Sequence, residues 1–502
     1  MSEKCRYGRD SEVVYYDLES KEIQYKCPRD AEIDGFCMFH KKGYWKHNKE
    51  NEERVRKAFK NELKNTGPRK ELLCIGYHLP DIQVRDAIKE IRGFVSFKDT
   101  LFQSVDFEGV TFQERADFRK TTFQERADFR RAIFQHWADF RGATFQQPAN
   151  FWEVIFQQSA DFSEVTFQHW AAFWDAIFQG LVVFSVSTFQ HWADFKGAVF
   201  QQQAGFWHAT FQQEADFSEA IFEKQVTFFK ARFQQKIDFS RATFKGPALF
   251  EGVEFIPDID IPRDNENVFI NFRRIKFGQP EEIVFDSCDL SYVSFIHTDI
   301  SRVNFRNITW PRPTDWKPDN FNKRISRFSK MDAYTLIDDE LLERTKNGIE
   351  PHKDDQDLTI ENVLTVYRML RENYEYNVNY ETAGRFFVGE MEARRRNSDS
   401  HSEKIILGLY KLLSLYGQSY NRPLYVLFGL IAWFAFLRGL ILFFQGIGPL
   451  DVALEVILES FAVSLQIKGT EGIDIIQRIL SIPLLVLFGL ALRRRFERRF
   501  RH

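Results

Sequence analysis

The sequence predicts a mainly β protein: a four-sided β-helix, then an α-helical hairpin, then a module of two transmembrane helices. Three observations carry this. Phenylalanine recurs without a gap from Phe107 to Phe255, at intervals of five and six in alternation. Residues 358–396 switch to helical spacing, with Val363, Val366, Tyr367, Leu370, Ala383, Phe386, Phe387 and Met391 on apolar stripes. Two long apolar runs, 424–444 and 473–492, are each enough to cross a hydrocarbon layer of ~30 Å.

Composition bounds the rest. The chain has 502 residues, 44% hydrophobic and 28% charged, which excludes wholesale disorder. Its net charge of −3 argues against a dedicated nucleic-acid binder. There are 54 Phe against 5 Met, a bias that points to a repeat. Five cysteines do not make a disulfide scaffold, and the polar stretch Met1–Asp10 lacks a secretory signal pattern. The bulk of the chain is therefore expected in a reducing cytoplasm. The mean hydropathy of −0.38 hides a split, because nearly all long apolar runs lie beyond residue 422. The expected divisions are 1–92, a Cys/His segment plus helix; 93–310, the β-helix; 311–357, a linker; 358–421, the hairpin and a pre-membrane helix; and 422–502, the membrane module.

The repeat reads Ala-Asp-Phe-x-x-Ala-x-Phe-Gln-x-x, as in 116–126 and 127–137. A period of 3.6 cannot keep positions five and six apart on one stripe, and a plain strand would not break every fifth residue. Short sides separated by corners fit. Each side presents one large and one small residue inward, and two eleven-residue units close a coil. The fourteen units then make about seven coils at ~4.8 Å each, with Phe rings in columns. Burying each ring contributes on the order of 1.5–3 kcal/mol, enough in sum to offset ordering a thin rod. Beyond Pro257 the spacing becomes pure fives (Leu290, Phe295, Ile300, Phe305, Trp310), a second stretch of coil after an irregular interruption at 256–284. The Gln row from Gln113 to Gln168 is expected as a hydrogen-bond ladder at a turn edge.

These units, Ala116-Asp117-Phe118, Ala127-Asp128-Phe129, Ala149-Asn150-Phe151 and Ala215-Asp216-Phe217 among them, resemble the pentapeptide-repeat family, whose unit is Ala-(Asp/Asn)-(Leu/Phe)-x-x. The resemblance implies a right-handed quadrilateral β-helix. The extra residue in alternate units is a departure that bears on corner geometry. Some family members mimic DNA. Here residues 105–255 carry 19 acidic and 14 basic residues, too little polarity to imitate duplex phosphate.

Trp152 and Trp174 are 22 residues apart, as are Trp170 and Trp192, so each pair falls on one side of the coil. Such rows are candidates for a surface that binds an unidentified protein partner; the plainer alternative is that they shield the Phe columns. Near the N-terminus, Cys5, Cys27, Cys37 and His40 form a donor set suited to a structural zinc ion (Zn2+). Cys74 and Cys288 sit in apolar contexts and read as packing residues, and 48–66 reads as a solvated helix.

In the membrane module, basic residues precede the first span (Arg394, Arg395, Arg396, Lys404, Lys411, Arg422) and follow the second (Arg493 to Arg501). The positive-inside rule then places both termini in the cytoplasm, with membrane lipid around the spans. Between the spans, 451–467 reads as a short amphipathic helix. Tyr367-Arg-Met-Leu, Ala383-Gly-Arg-Phe-Phe-Val-Gly-Glu-Met-Glu-Ala-Arg-Arg, Tyr416-Gly-Gln-Ser and Leu487-Phe-Gly-Leu-Ala-Leu-Arg-Arg-Arg-Phe are similar to the C-terminal region of pentapeptide-repeat proteins that end in a potassium-channel-like pore domain. That resemblance implies a pore-like region with Glu455, Glu459, Ser464, Lys468 and Gly469, and a homo-oligomer, tetrameric if channel-like. The filter position, however, reads Ser464-Leu465-Gln466-Ile467-Lys468-Gly469-Thr470, which lacks the glycines that let carbonyls line a pore. Arg438 interrupts the first span, and Glu455, Glu459 or snorkelling to the interface would accommodate it. No phosphate loop, nucleophile elbow or paired-carboxylate frame is present. The expected function is a membrane-anchored interaction scaffold without catalytic residues, the alternative being an oligomeric channel-like protein with a degenerate filter.

Overall fold

The computed structural model describes residues 3–9, 13–16, 21–68, 70–255, 270–311, 333–346, 357–444, 453–466 and 472–500. The chain forms two compact units: Met1–Pro311 with Pro351–Asp357, and Arg312–Glu350 with Leu358–His502.

The first unit is built on a parallel β-solenoid of about ten turns. Its four faces are sheets of 11, 9, 10 and 9 short strands, beginning at Glu71–Leu73, His78–Leu79, Ile82–Gln83 and Glu90–Ile91. Across the eleven-residue repeats, partners are 22 residues apart, as in Ala116↔Ala138, Thr122↔Thr144 and Ile133↔Ile155, so two units close one coil as the spacing predicts. Phe rings stack within each column, Phe118 on Phe140 at 4.7 Å and Phe129 on Phe151 at 4.8 Å, their planes nearly parallel. Neighbouring columns meet edge to face, as Phe118 and Phe129 do at 5.6 Å and 89°. Both arrangements suit the ring quadrupole. Ala116, Ala127, Ala138 and their equivalents, with Val182, Val226 and Ile237 in the same ladders, are fully buried beside the rings.

The five-and-six alternation resolves into two kinds of corner. After the first Phe of each unit the chain turns within a four-residue loop closed, for example, by Ala132 N–H donating to the Phe129 carbonyl at 3.0 Å. Its third residue is left-handed: Lys120, Arg131, Gly142, Glu153, Glu164, Asp175, Val186 and Gly197 all have φ between 53° and 66°. The other corner, after Phe-Gln, has one more residue and needs no positive φ. The Asp before the first Phe also has a role: Asp128, Asp161 and Asp216 accept from the backbone amide two residues on, at 3.1, 2.9 and 2.7 Å, pinning the tight corner. At the Gln positions the ladder is one of backbone amides, with Gln124, Gln135 and Gln146 N–H donating to Phe102, Phe112 and Phe123 carbonyls.

The structure corrects the expected limits of the coil. It begins at Glu71–Leu73, which pairs with Phe94–Ser96, rather than at 93. Leu79, Ile82, Val84 and Ile91 fill the inward positions there, so the Phe signal is absent although the coil is not. The interruption at 256–284 is also too wide. Residues 256–269 lie outside the described residues, but Ile270–Asn271, Lys276–Phe277 and Ile283–Asp286 continue three ladders, with partners 33 to 35 residues apart. An insertion of roughly half a coil is accommodated without breaking the stack. The fives then shorten the coil, and Phe285 pairs with Phe305.

Helix α1 (Lys49–Lys64) is not the solvated helix the sequence predicts. Val55, Phe59 and Leu63 are fully buried, and Phe59 lies 6.2 Å from Phe97 and 6.5 Å from Phe102. The helix covers the open end of the Phe columns. Asn48 caps it by accepting from Glu50 and Asn51 N–H.

The second unit is helical. Helix α2 (Ile337–Lys346) lies within the expected linker but packs on the hairpin of α3 (Ile360–Tyr376) and α4 (Tyr380–Asn397), where Tyr367 Oη accepts from Leu336 N–H at 3.0 Å. The hairpin breaks at the predicted place. Helix α5 (His401–Ser414) leads to α6 (Asn421–Phe444), followed by α7 (Ala453–Ser464) and α8 (Gly472–Phe500). Within α6 and α8, Asn421–Leu442 and Asp474–Arg493 are long and apolar enough to cross a membrane, and only 22% of each is buried.

Candidate functional site

Cys5, Cys27, Cys37 and His40 come together as a buried cluster, their ligand atoms all within 4.8 Å of one another. Cys27 and Cys37 Sγ are 3.9 Å apart, close to the ~3.8 Å edge of a tetrahedron with ~2.3 Å metal–sulfur bonds. His40 Nδ1 lies 3.2 Å from Cys37 Sγ and 3.5 Å from Cys5 Sγ. His40 Nε2 is 2.8 Å from the Ile75 carbonyl. That acceptor fixes the proton on Nε2 and leaves the Nδ1 lone pair aimed at the sulfurs, the outer-sphere orientation metal-binding histidines use. Cys37 N–H points at Cys5 Sγ at 3.4 Å. The bond from Cys27, opposed by burial and helped by His40, pulls the Cys37 thiol well below its ordinary range, while Cys27 is pushed up in return. The cluster could hold a metal ion. Local sequence explains its assembly: Cys37 to His40 is a tight turn, with His40 N–H on the Cys37 carbonyl. Cys5 is brought alongside by its amide on the Arg29 carbonyl.

This cluster is attached to the first coil. Besides His40 on Ile75, His78 N–H donates to the Phe39 carbonyl at 2.7 Å and Trp45 Nε1 to the His78 carbonyl at 3.0 Å. Tyr7 stacks on His40 at 4.0 Å, and Phe39 on Tyr77 at 4.4 Å. Cys74 and Cys288 are buried packing residues, with Cys288 Sγ donating to the Phe250 carbonyl.

A second acidic group, Asp106, Glu108 and Asp128, was not singled out from sequence. Arg85 and Arg130 lie among these carboxylates, Arg130 2.8 Å from Asp128 and 3.0 Å from Glu108. The guanidinium groups already supply the positive charge there.

The tryptophans divide. Trp137 is covered by Arg115, 4.5 Å above its ring. Trp152 and Trp174 stack at 5.5 Å, with Arg131 over Trp152. In the other pair it is the preceding histidines, His169 and His191, that stack, at 5.0 Å. Trp174 and Trp192 are exposed, together with Leu181, Val186 and Trp207. Among the described residues of the solenoid, these five are the large apolar side chains left exposed, and all fall between 174 and 207. A groove of about 380 Å³ adjoins this belt on the first face, lined by His136, Trp137, Ser159, Asp161, Leu181 and Val183. Residues 142–223 carry nine acidic side chains against one basic, Lys196.

Arg438 differs from expectation. It neither snorkels nor pairs with Glu455 or Glu459. It is buried, 2.8 Å from Ser460 Oγ and 3.1 Å from Gln477 Oε1, and paired with Asp474. The pairing comes from α8, which carries Asp474 and Gln477 three residues apart on one face. Gln477 also donates to Ser464 Oγ at 2.7 Å, and Gln466 donates to Ser481 Oγ at 2.9 Å. Ser464 and Gln466, from the filter-like stretch, are thus bonded within the three-helix module. Lys468 and Gly469 lie outside the described residues.

The family comparison fits this geometry. The family model for Pentapeptide repeats (9 copies) matches residues 97–144, 140–188 and 184–232. The solved structure of a trypsin-treated form of QnrB1, a plasmid-mediated fluoroquinolone resistance protein, is similar at 14% identity, covering 52% of this chain and 97% of that one, with a TM-score of 0.18. No curated protein matches. Residues 97–232 of this solenoid are pentapeptide repeats.

Proposed function

We propose that the chain is a membrane-anchored, non-catalytic docking protein whose solenoid presents its apolar belt to a protein partner. One observation carries this reading: exposed large apolar side chains, otherwise kept off the described solenoid surface, are confined to 174–207. These side chains sit at corners on opposite sides of the coil, Trp174 and Trp192 flanking the third face and Leu181, Val186 and Trp207 the first, so a partner that covers them all clasps the rod. The acidic surroundings imply an apolar partner surface flanked by basic residues. The helices α6 and α8 fix the protein in the lipid bilayer, with both termini cytoplasmic as the basic tail implies. The Cys/His cluster holds zinc as a structural staple that closes the N-terminal end of the rod. We do not favour the channel reading, because Ser464 and Gln466 spend their side-chain bonds inside one chain.

The test is photo-crosslinking in native membranes from probes beside Trp174 and Trp192. A discrete adduct that disappears with Trp192→Ser and Trp174→Ser supports the reading. Adducts that are absent, or that persist in the variants, would overturn it. Zinc is tested by metal analysis of the purified chain, with about one ion per chain expected.

A further inference from the structure

Helix α5 leaves its apolar stripe uncovered. Ile405, Ile406, Leu409 and Leu412 are 63%, 64%, 52% and 66% exposed. At ~100° per residue these four, with Leu413, fall within an arc of roughly 120°, one continuous aliphatic face. The opposite side is committed to the protein. Leu407 packs with Ala333, Val388 and Tyr416, and Lys411 pairs with Glu392 at 2.8 Å. Among the described residues of this unit outside α6, α7 and α8, no other helix leaves such a stripe of Ile and Leu exposed.

Two features say what covers it. The first is depth. Only residues 415–420 separate α5 from α6, and the connection is tied down: Gly417 N–H donates to Ser414 Oγ at 3.0 Å, and Arg422 in the first turn of α6 donates to the Lys411 carbonyl at 3.3 Å. If α6 spans a bilayer from Asn421, the end of α5 sits at the bilayer surface. The second is continuity. Leu413, on the same face as Leu409, packs against Leu427, Ile431 and Leu484 of the two spans, so the stripe runs without a break into the apolar surface of α6 and α8. Lys404, on the other side of α5, is exposed and suits an anionic headgroup.

We infer that α5 is an interfacial helix, lying in the headgroup layer with Ile405, Ile406, Leu409, Leu412 and Leu413 toward the acyl chains. This rests on the reading of α6 and α8 as membrane spans and adds a second, in-plane contact. Helix α5 then fixes the rotation and tilt of the hairpin of α3 and α4, which two spans alone would leave free. Anionic lipid strengthens the contact.

The experiment places an environment-sensitive fluorophore at Leu409→Cys in the full chain, reconstituted in phosphatidylcholine vesicles containing phosphatidylglycerol; the native cysteines are buried. Spin-labelled lipids carry the quencher high or low on the acyl chain, and iodide quenches from water. Phe436→Cys in α6 and Tyr376→Cys in α3 are references for lipid and water. The Leu409 label is expected to be quenched several-fold more by the shallow lipid quencher than by iodide, and the Phe436 label by the deep one. A Leu409 label as open to iodide as the Tyr376 label, with Phe436 still quenched from lipid, overturns the interfacial helix and leaves the spans standing. A label shielded from both iodide and lipid indicates a protein on this face and also overturns it. Loss of lipid quenching at Phe436 overturns the spans and the inference together. Leu412→Cys, on the same face, serves if Leu409→Cys does not fold.

Discussion

At the scale of single residues, the tight corner makes sharp demands. Its left-handed position is held by Gly142 and Gly197 in two coils and by Val186 in another, at φ 59°. Left-handed backbone costs about 1–2 kcal/mol for an ordinary residue, and a β-branched one is the worst occupant. Val186 is also exposed, so packing gives it no compensation. Val186→Gly is therefore expected to stabilise the solenoid by about 0.5–1 kcal/mol after glycine's own entropy is counted, seen as a higher unfolding temperature; it should weaken partner crosslinking at the belt. One corner aspartate responds to pH. Asp194 is raised to about 6, chiefly by burial, with the charge of Asp216 adding and the bond from Lys196 N–H opposing. A folded-state pKa above the unfolded one means the folded chain holds its proton more tightly. This contribution is fully present below about pH 4 and is lost as pH rises through about 6. Asp194→Asn keeps the acceptor for Lys196 N–H and removes the titration. It should flatten that part of the stability profile by on the order of 1 kcal/mol, allowing for solvent screening, and denaturant midpoints taken across the range would read it.

At the scale of elements, the parts legible in the sequence were those with strict period. The Phe columns, the hairpin of α3 and α4, and the two apolar helices all follow from spacing. The first coil and the stretch after 270 were obscured because Leu79, Ile82 and Ile91 do the work of Phe, and an insertion breaks the count. Helix α1 was misread because its apolar positions, Val55, Phe59 and Leu63, sit among ten charged residues in sixteen. Charge density described its outer face and hid the inner stripe at i, i+4 and i+8. The Cys/His cluster was legible from residue type alone, but the acceptor that orients His40 is a backbone carbonyl, invisible to any motif. Arg438 was misassigned because its partner, Asp474, is 36 residues away and becomes a neighbour only when α6 and α8 pack. Phe59→Ala tests the capping role of α1. It should cost about 3–5 kcal/mol, and the loss of protection from hydrogen exchange should concentrate at the Phe97 and Phe102 coil rather than spread evenly.

At the scale of the whole molecule, a solenoid is nearly one-dimensional, so each coil is stabilised by its two neighbours and the ends are weakest. Here the N-terminal end is closed by α1 and by the Cys/His segment, which is bonded to the first coil through His40 on Ile75 and through Phe39 and Trp45 on His78. Metal bound at the cluster would be linked to folding of that end by mass action. Chelation of the whole chain is therefore expected to fray the rod from one side. Amide protection should fall over 71–102, while the Phe-stacked coils of 140–230 and the hairpin of α3 and α4, which belongs to the other unit, keep theirs. Cys37→Ser should reproduce the pattern without chelator, and adding zinc should restore protection only in the native sequence. Protection lost evenly along the solenoid would mean that the array folds as one block, with no special dependence on its N-terminal end. Protection unchanged by chelator would mean that the thiols and His40 hold the cap unaided, through the bonds they make to one another and to Ile75.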